Sequence, residues 1–171
     1  MDRKRTVILG ANHQFLYPGA MTDAAVHEDT LNELASVELL DALDCWVWPE
    51  PERARREIEL LRGCGKRINY NIGDRACDGF LSAVASDNGA LRARSMDVLM
   101  REIDMALECG AGKIVMGSGP DMPDDRDGAK RRLTQAMLKV SGRIPKDVVL
   151  TLEPTDRDID KRFLFGPVEE T

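Results

Sequence analysis

Short runs of apolar and β-branched residues alternate along this chain with longer stretches in which apolar residues recur every three or four positions. The short runs predict buried strands, and the longer stretches predict amphipathic helices that cover them. This alternation is typical of βα units around a parallel sheet. The strands are predicted at 6–11, 43–48, 67–72, 113–117 and 147–153. The helices between them are predicted at 29–40, 51–62, 88–109 and 128–140.

Residue types at particular positions add detail to the first and third predicted helices. The first helical stripe is predicted to contain Leu31, Leu34, Ala35 and Leu39, which recur at helical spacing. The third helix is followed by Gly110, which is expected to end it because glycine adopts the left-handed conformation of a C-terminal cap.

The segment after the last predicted strand distinguishes two architectures. Five consecutive βα units fit either a doubly wound sheet or the first five units of an eight-unit (βα) barrel. A doubly wound sheet needs a helix over its last strand, and the polar segment 156–162 does not supply one. A barrel expects a long loop there, with the fifth helix starting at Gly166-Pro167. We therefore predict an α/β fold of the TIM-barrel type, truncated after the fifth strand, as one partial domain over residues 1–171.

Composition narrows the class of partner. The chain is 43% hydrophobic and 32% charged, and no apolar run approaches the ~20 residues of a membrane helix. No export signal is recognised, so a cytoplasmic location without membrane association is expected. The net charge of −6 disfavours a nucleic-acid partner, which normally requires a clustered basic face. Free thiols are predicted for the cysteines, which lack CxxC spacing: Cys45, Cys64, Cys77 and Cys109.

Candidate site residues follow the predicted strands. In both architectures ligands bind at the carboxyl ends of the strands, so polar and aromatic residues there are candidates for a pocket. These positions hold hydrogen-bonding groups, an aromatic wall and a carboxylate: His13, Trp48, Asn71, Ser118 and Glu153. The triplet Gly117-Ser118-Gly119 is also able to present backbone N–H groups to an anion.

Each candidate also has a structural interpretation. Glu153 is suited to bind a divalent cation and to abstract a proton next to a carbonyl, or it pairs with Arg157 or Lys161. His13 is either a substrate donor or a loop histidine with its own partner. Trp48 stacks on a sugar or fills the core. His27 is assigned to a helix amino terminus.

The fifth strand and the loop after it carry a family resemblance. Leu150-Thr151-Leu152-Glu153-Pro154, then 156–161 and Leu164-Phe165-Gly166-Pro167, resemble the xylose isomerase-like barrel superfamily, in particular its sugar phosphate isomerases/epimerases. The resemblance implies that Glu153 is a metal ligand, for manganese, magnesium, cobalt or zinc, and an acid/base that moves a proton between adjacent sugar carbons. It implies further ligands on the sixth to eighth strands, so the chain alone is expected to be inactive.

Two departures from relatives limit the substrate class. Pro120 follows the glycine triplet where many relatives have an arginine, which weakens the case for phosphate recognition there. Trp48 and Asn71 stand where the endonuclease branch has histidines, which argues against DNA repair. Two functions stay open: the amino-terminal portion of a metal-dependent sugar or sugar-phosphate isomerase/epimerase, and a non-catalytic half-barrel that requires a second copy or a partner chain.

Overall fold

A computed structural model of the chain describes residues 7–72, 81–159 and 162–166. The chain folds into two compact units. The first comprises residues 1–70 and 105–112, and the second comprises residues 71–104 and 113–171.

The strands form one sheet in which sequence order is also spatial order. They are β1 (Gly10–Asn12), β2 (Ala42–Cys45), β3 (Arg67–Asn71), β4 (Lys113–Gly117) and β5 (Val149–Glu153). The pairs β1–β2, β2–β3 and β4–β5 are parallel. A doubly wound sheet places its first strand in the interior, whereas β1 lies at the edge of this sheet. The α/β fold with barrel-type strand order is therefore confirmed, and the doubly wound alternative is wrong.

The first unit contains α1 (His13–Leu16), a 3-10 turn at Pro18–Met21, α2 (Ala24–Ser36) and α3 (Pro51–Gly63). Side chains cap these α-helices at their amino termini: Asn12 caps α1, Asp23 caps α2 and Glu50 caps α3. Helix α2 begins earlier than predicted because the Asp23 carboxylate accepts hydrogen bonds from the amides of Ala25 and Val26. It ends at Ser36, so Leu39 lies outside the helix and is 60% exposed, against the prediction. Helix α3 starts at Pro51 as predicted.

Strand β1 is shorter and later than predicted. Pairing with β2 begins only where the Leu9 carbonyl accepts hydrogen bonds from the amides of Asp41 and Ala42. Val7 and Ile8 precede that point and are exposed. In the sheet as described, β1 is an edge strand that pairs with β2 alone. All three residues of β1 have a partner in β2.

The second unit contains a 3-10 turn at Leu81–Ala85, α5 (Arg126–Ser141) and most of α4 (Gly89–Glu108). Two arginines hold the end of the 3-10 turn, since Arg132 donates to the Ala85 carbonyl and Arg92 to the Ser86 carbonyl. Helix α4 ends as predicted before Gly110, whose φ of 75° is in the left-handed region that glycine adopts without strain.

Apolar side chains from helices and strands form the buried interior of each unit. In the first unit the buried residues include Leu31, Leu43, Leu61 and Tyr70, and in the second Leu99, Ile103, Ile114 and Leu133.

Three of the four cysteines lie in the described residues. Cys45, Cys64 and Cys109 are free thiols as predicted, and burial raises the pKa of Cys45 well above its ordinary value. Cys77 lies outside the described residues, as does the predicted helix start at Pro167. In the part of the chain that the structure describes, no helix is both long and apolar enough to cross a membrane.

Candidate functional site

The first unit holds a buried group of rings and one carboxylate next to the end of β2. This His–Trp cluster consists of His13, His27, Trp46, Trp48 and Glu57. The centroid of the His27 ring lies 4.3 Å from that of Trp46, 5.5 Å from that of Trp48 and 4.8 Å from that of His13. The two indoles stack at 5.5 Å. Trp48 is half-buried, whereas the other members are buried, so Trp48 alone of the cluster offers accessible ring surface.

Glu57 of α3 connects the polar atoms of this cluster. Its Oε1 lies 3.0 Å from His27 Nδ1, and its Oε2 accepts a hydrogen bond of 2.7 Å from the backbone N–H of Trp48. A buried carboxylate is tolerated when its oxygens are hydrogen-bonded in this way. Because an ionised carboxylate only accepts hydrogen bonds, the geometry assigns the proton of the His27 ring to Nδ1.

Glu57 is not among the predicted site residues, and His27 is predicted only to lie at a helix start. A signal for Glu57 exists, because it lies three residues after Ala54 and four before Leu61 on the apolar face of α3. A charged residue on a buried face requires a buried partner, and His27, near the start of α2, provides it.

His13 is fully buried and donates a hydrogen bond through its Nε2. Its Nε2 lies 2.8 Å from Thr30 Oγ1, and the Thr30 hydroxyl itself donates to the Val26 carbonyl at 2.6 Å. The threonine oxygen therefore accepts a hydrogen bond from His13 Nε2–H. The other ring nitrogen, Nδ1, carries no proton and has no hydrogen-bond partner among the described residues. Burial, and secondarily the charge of His27, lower the pKa of His13 to about 4.

Glu153 closes β5 in the second unit with an exposed side chain. In the described ranges its carboxylate has neither a hydrogen-bond partner nor an ion pair. Arg157, one of the two alternative partners, donates to the Leu164 carbonyl. Lys161, the other alternative, lies outside the described residues.

The described part of the chain contains no group of three or more His, Cys, Asp or Glu side chains that could hold a metal ion. Glu153 has the chemistry of one oxygen ligand for a hard or borderline cation, and one ligand does not make a site.

The glycine triplet after β4 receives the loop that follows β5. Ser118 is buried, and its Oγ accepts a hydrogen bond of 3.0 Å from the amide of Phe165. The Gly119 carbonyl accepts one of 2.8 Å from Leu164. A Cβ at Gly117 would lie 2.6 Å from the Phe163 ring, so this position must lack a side chain. The triplet thus fixes the chain segment 162–166.

The structure distributes the predicted site residues between the two units. His13 and Trp48 belong to the first unit and share the His–Trp cluster. Asn71, Ser118 and Glu153 belong to the second, where Asn71 ends β3 and is nearly buried. Glu153 stands beside Gly117 in the register of β5 against β4, one residue from Ser118.

Sequence comparisons give no assignment: no family model matches the chain, and no curated protein does. Solved structures do match. D-psicose 3-epimerase from Clostridium cellulolyticum H10, solved with D-tagatose, aligns with a TM-score of 0.65 at 12% identity over 88% of this chain and 53% of the epimerase.

Two further sugar epimerases agree. L-ribulose 3-epimerase aligns with a TM-score of 0.55 at 17% identity, over 91% of this chain and 50% of its own. D-allulose 3-epimerase from Methylomonas sp., in complex with D-allulose, aligns with a TM-score of 0.57 at 15% identity, over 92% of this chain and 52% of the epimerase. The chain thus has the fold of about half of these epimerases, which agrees with a truncated TIM-type barrel, and it spans about half the length of these enzymes.

Proposed function

We propose that this chain is the amino-terminal portion of a metal-dependent sugar or sugar-phosphate isomerase/epimerase that transfers a proton at the carbon next to a carbonyl. The observation that carries the proposal is the Glu153 carboxylate, exposed at the carboxyl end of β5 and without a partner in the described residues. The matching solved structures are sugar 3-epimerases, which supports a sugar as the substrate.

The proposed chemistry requires a base beside an acidic carbon. Glu153 accepts the proton from the carbon next to the carbonyl, and the electron pair left behind moves onto the carbonyl oxygen to give an enediolate. Return of a proton to the adjacent carbon or to the opposite face completes isomerisation or epimerisation. An exposed carboxylate at the end of a strand is suited to this task, because its oxygens are accessible to a substrate.

A divalent metal is part of the proposal. Manganese, magnesium, cobalt or zinc would supply charge stabilisation at the carbonyl oxygen, and Glu153 would be one of its ligands. The other ligands would have to come from residues beyond those described, on the sixth to eighth strands of the barrel.

Four residues are proposed to bind the substrate, two in each unit. In the first unit, the half-buried Trp48 indole is suited to stack on the C–H face of a sugar, and the buried His13 belongs to the same ring cluster. In the second unit, Asn71 supplies an amide that is 6% exposed, and the buried Ser118 holds the loop after β5.

A glutamine substitution tests the role of Glu153 in the protein that contains this chain. Glu153→Gln keeps the volume and removes the base, so turnover is expected to fall by at least about 10²-fold. The readout is exchange of the sugar proton with solvent deuterium, followed by NMR, with far-UV circular dichroism as the check on folding. Glu59→Gln, an exposed glutamate on α3, is the matched control and should retain full activity. Retained turnover in Glu153→Gln would remove Glu153 from the mechanism.

A second candidate function rests on a different observation. Apolar side chains are exposed beside both edge strands, namely Val7, Ile8 and Leu9 before β1 and Val149 in β5. Unpaired parallel edges with apolar flanks favour association. A non-catalytic half-barrel that functions only when paired with another chain would use these edges.

A further inference from the structure

Trp48 lies in a loop whose backbone is held by side chains. Strand β2 ends at Cys45 and helix α3 begins at Pro51, so Trp48 has no strand partner. The amide of Val47 donates to the Tyr70 hydroxyl at 3.2 Å, and that of Trp48 donates to Glu57 Oε2 at 2.7 Å. The orientation of the Trp48 ring therefore depends on a buried carboxylate.

His27 fixes the other end of that carboxylate and one side of the indoles. Its Nδ1 proton goes to Glu57 Oε1, and its ring lies against both Trp46 and Trp48. Both Glu57 and His27 are almost completely excluded from solvent, at 1% and 0% exposure. A ligand that arrives from solvent would thus contact the half-buried Trp48 without contacting Glu57 or His27.

We propose that Glu57 and His27 are positioning residues that orient the Trp48 indole as the stacking wall for a sugar, and so set the affinity for the sugar without touching it. This inference rests on the proposed function, because it takes the ligand to be a sugar. A stacking ring increases the affinity most when it already has the bound orientation in the free protein. Otherwise part of the binding free energy is needed to order the ring.

The competing explanation is that the pair merely ties α2 to α3. The chain offers a matched control, because Glu28 of α2 makes the same connection with Arg53 and Arg56 of α3 and is part of no ring cluster. If a helix tie is all that matters, removing either connection should have the same effect.

The experiment uses the two tryptophans of the chain as probes, since both belong to the cluster. The chain is labelled with 5-fluorotryptophan, and the two ¹⁹F resonances are assigned with Trp46→Phe and Trp48→Phe. Each variant is titrated with D-allulose. Glu57→Gln replaces one carboxylate oxygen by an NH2 group, so either the Trp48 N–H loses its acceptor or the His27 ring must take its other tautomer, and in both cases the Trp48 resonance should shift. The dissociation constant for D-allulose should rise about tenfold, while Glu28→Gln should match the wild type.

The outcomes separate this inference from the proposed function. Wild-type affinity and an unchanged Trp48 resonance in Glu57→Gln would overturn the positioning role and leave the proposed function intact. Equal losses in Glu28→Gln and Glu57→Gln would also overturn it in favour of a helix tie. Absence of any response of the wild-type chain to D-allulose, or to D-tagatose and D-fructose in turn, would remove the sugar pocket and the positioning role with it.

A second variant decides the matter if Glu57→Gln does not fold. In His27→Asn the amide nitrogen replaces Nδ1 as the donor to Glu57, so the carboxylate keeps its partner while the ring contacts with the indoles are lost. Weaker D-allulose binding with a displaced Trp48 resonance would support the proposal, and wild-type binding would overturn it.

Discussion

The buried imidazole of His13 makes the stability of this chain depend on pH. His13 titrates near pH 6.5 in an unfolded chain, whereas burial and then His27 lower its pKa to about 4 in the folded one. Between these values the unfolded chain binds a proton that the folded chain does not. The free energy of unfolding therefore keeps the whole contribution of His13 above pH 6.5. It decreases by at most about 3 kcal/mol as the pH falls towards about 4.

The substitution His13→Gln isolates this contribution. Glutamine is able to donate to Thr30 as Nε2 does, and it does not titrate, so the variant should lose less stability than the wild type on acidification from pH 7 to pH 4. Urea unfolding at several pH values measures the difference, and subtracting the two profiles cancels the carboxylates that both chains share. Parallel profiles for the two chains would show that His13 takes up its proton in the folded state at an ordinary pH.

At the scale of elements, the glycine triplet after β4 and the loop after β5 depend on each other. The loop is held by the Ser118–Phe165 and Gly119–Leu164 hydrogen bonds, and the Phe163 ring occupies the space next to Gly117. Since this loop continues from Glu153, its attachment also restrains the carboxylate.

The substitution Gly117→Ala should displace the loop. The new methyl group would lie 2.6 Å from the Phe163 ring, and overpacking of this kind costs about 1–3 kcal/mol. Thermal unfolding measures the loss, and limited proteolysis within 155–166 measures release of the loop. Gly112→Ala is the control, because its Cβ meets no atom within 4 Å. Equal stability of the two variants would show that Phe163 moves aside freely.

The elements also show what the sequence can and cannot predict. Helices α3 and α4 were predicted closely because their signals are local: Pro51 at the first turn and Gly110 past the last. The start of α2 was missed because its cap, Asp23, precedes residues that are not on the apolar stripe. The position of Glu153 at the end of β5 agrees with the sequence pattern, because the end of a strand is a local feature.

The contacts of Glu57 could not be predicted in the same way. Its partner His27 is 30 residues away, and the two meet only because α2 and α3 are neighbours in the fold. The sequence pattern identifies a charged residue on a buried face of α3, whereas the choice of partner depends on tertiary packing. This is why His27 was assigned to a helix start alone.

At the scale of the whole molecule, the edges of the sheet determine how the chain behaves in solution. In the sheet as described, β1 has only β2 beside it and β5 has only β4. Val149 of β5 is 55% exposed, and three exposed apolar residues precede β1. A sheet edge of this kind presents unpaired backbone groups together with apolar surface, and natural proteins normally protect such edges with charge.

We therefore expect the 171-residue chain to associate reversibly, with a sedimentation coefficient that rises with concentration. Val149→Glu should weaken the association, since it charges the edge and places a carboxylate beside Lys113, its neighbour in the register. Ile159→Glu is the control, because Ile159 is 83% exposed and lies in the loop after β5, outside any strand. If hydrophobic surface in general drives association, both variants should dissociate equally, whereas an edge contact responds to Val149→Glu alone. A monomer at every concentration, with cooperative unfolding, would contradict the half-barrel that requires a partner chain, because its edges would then be stable in water on their own.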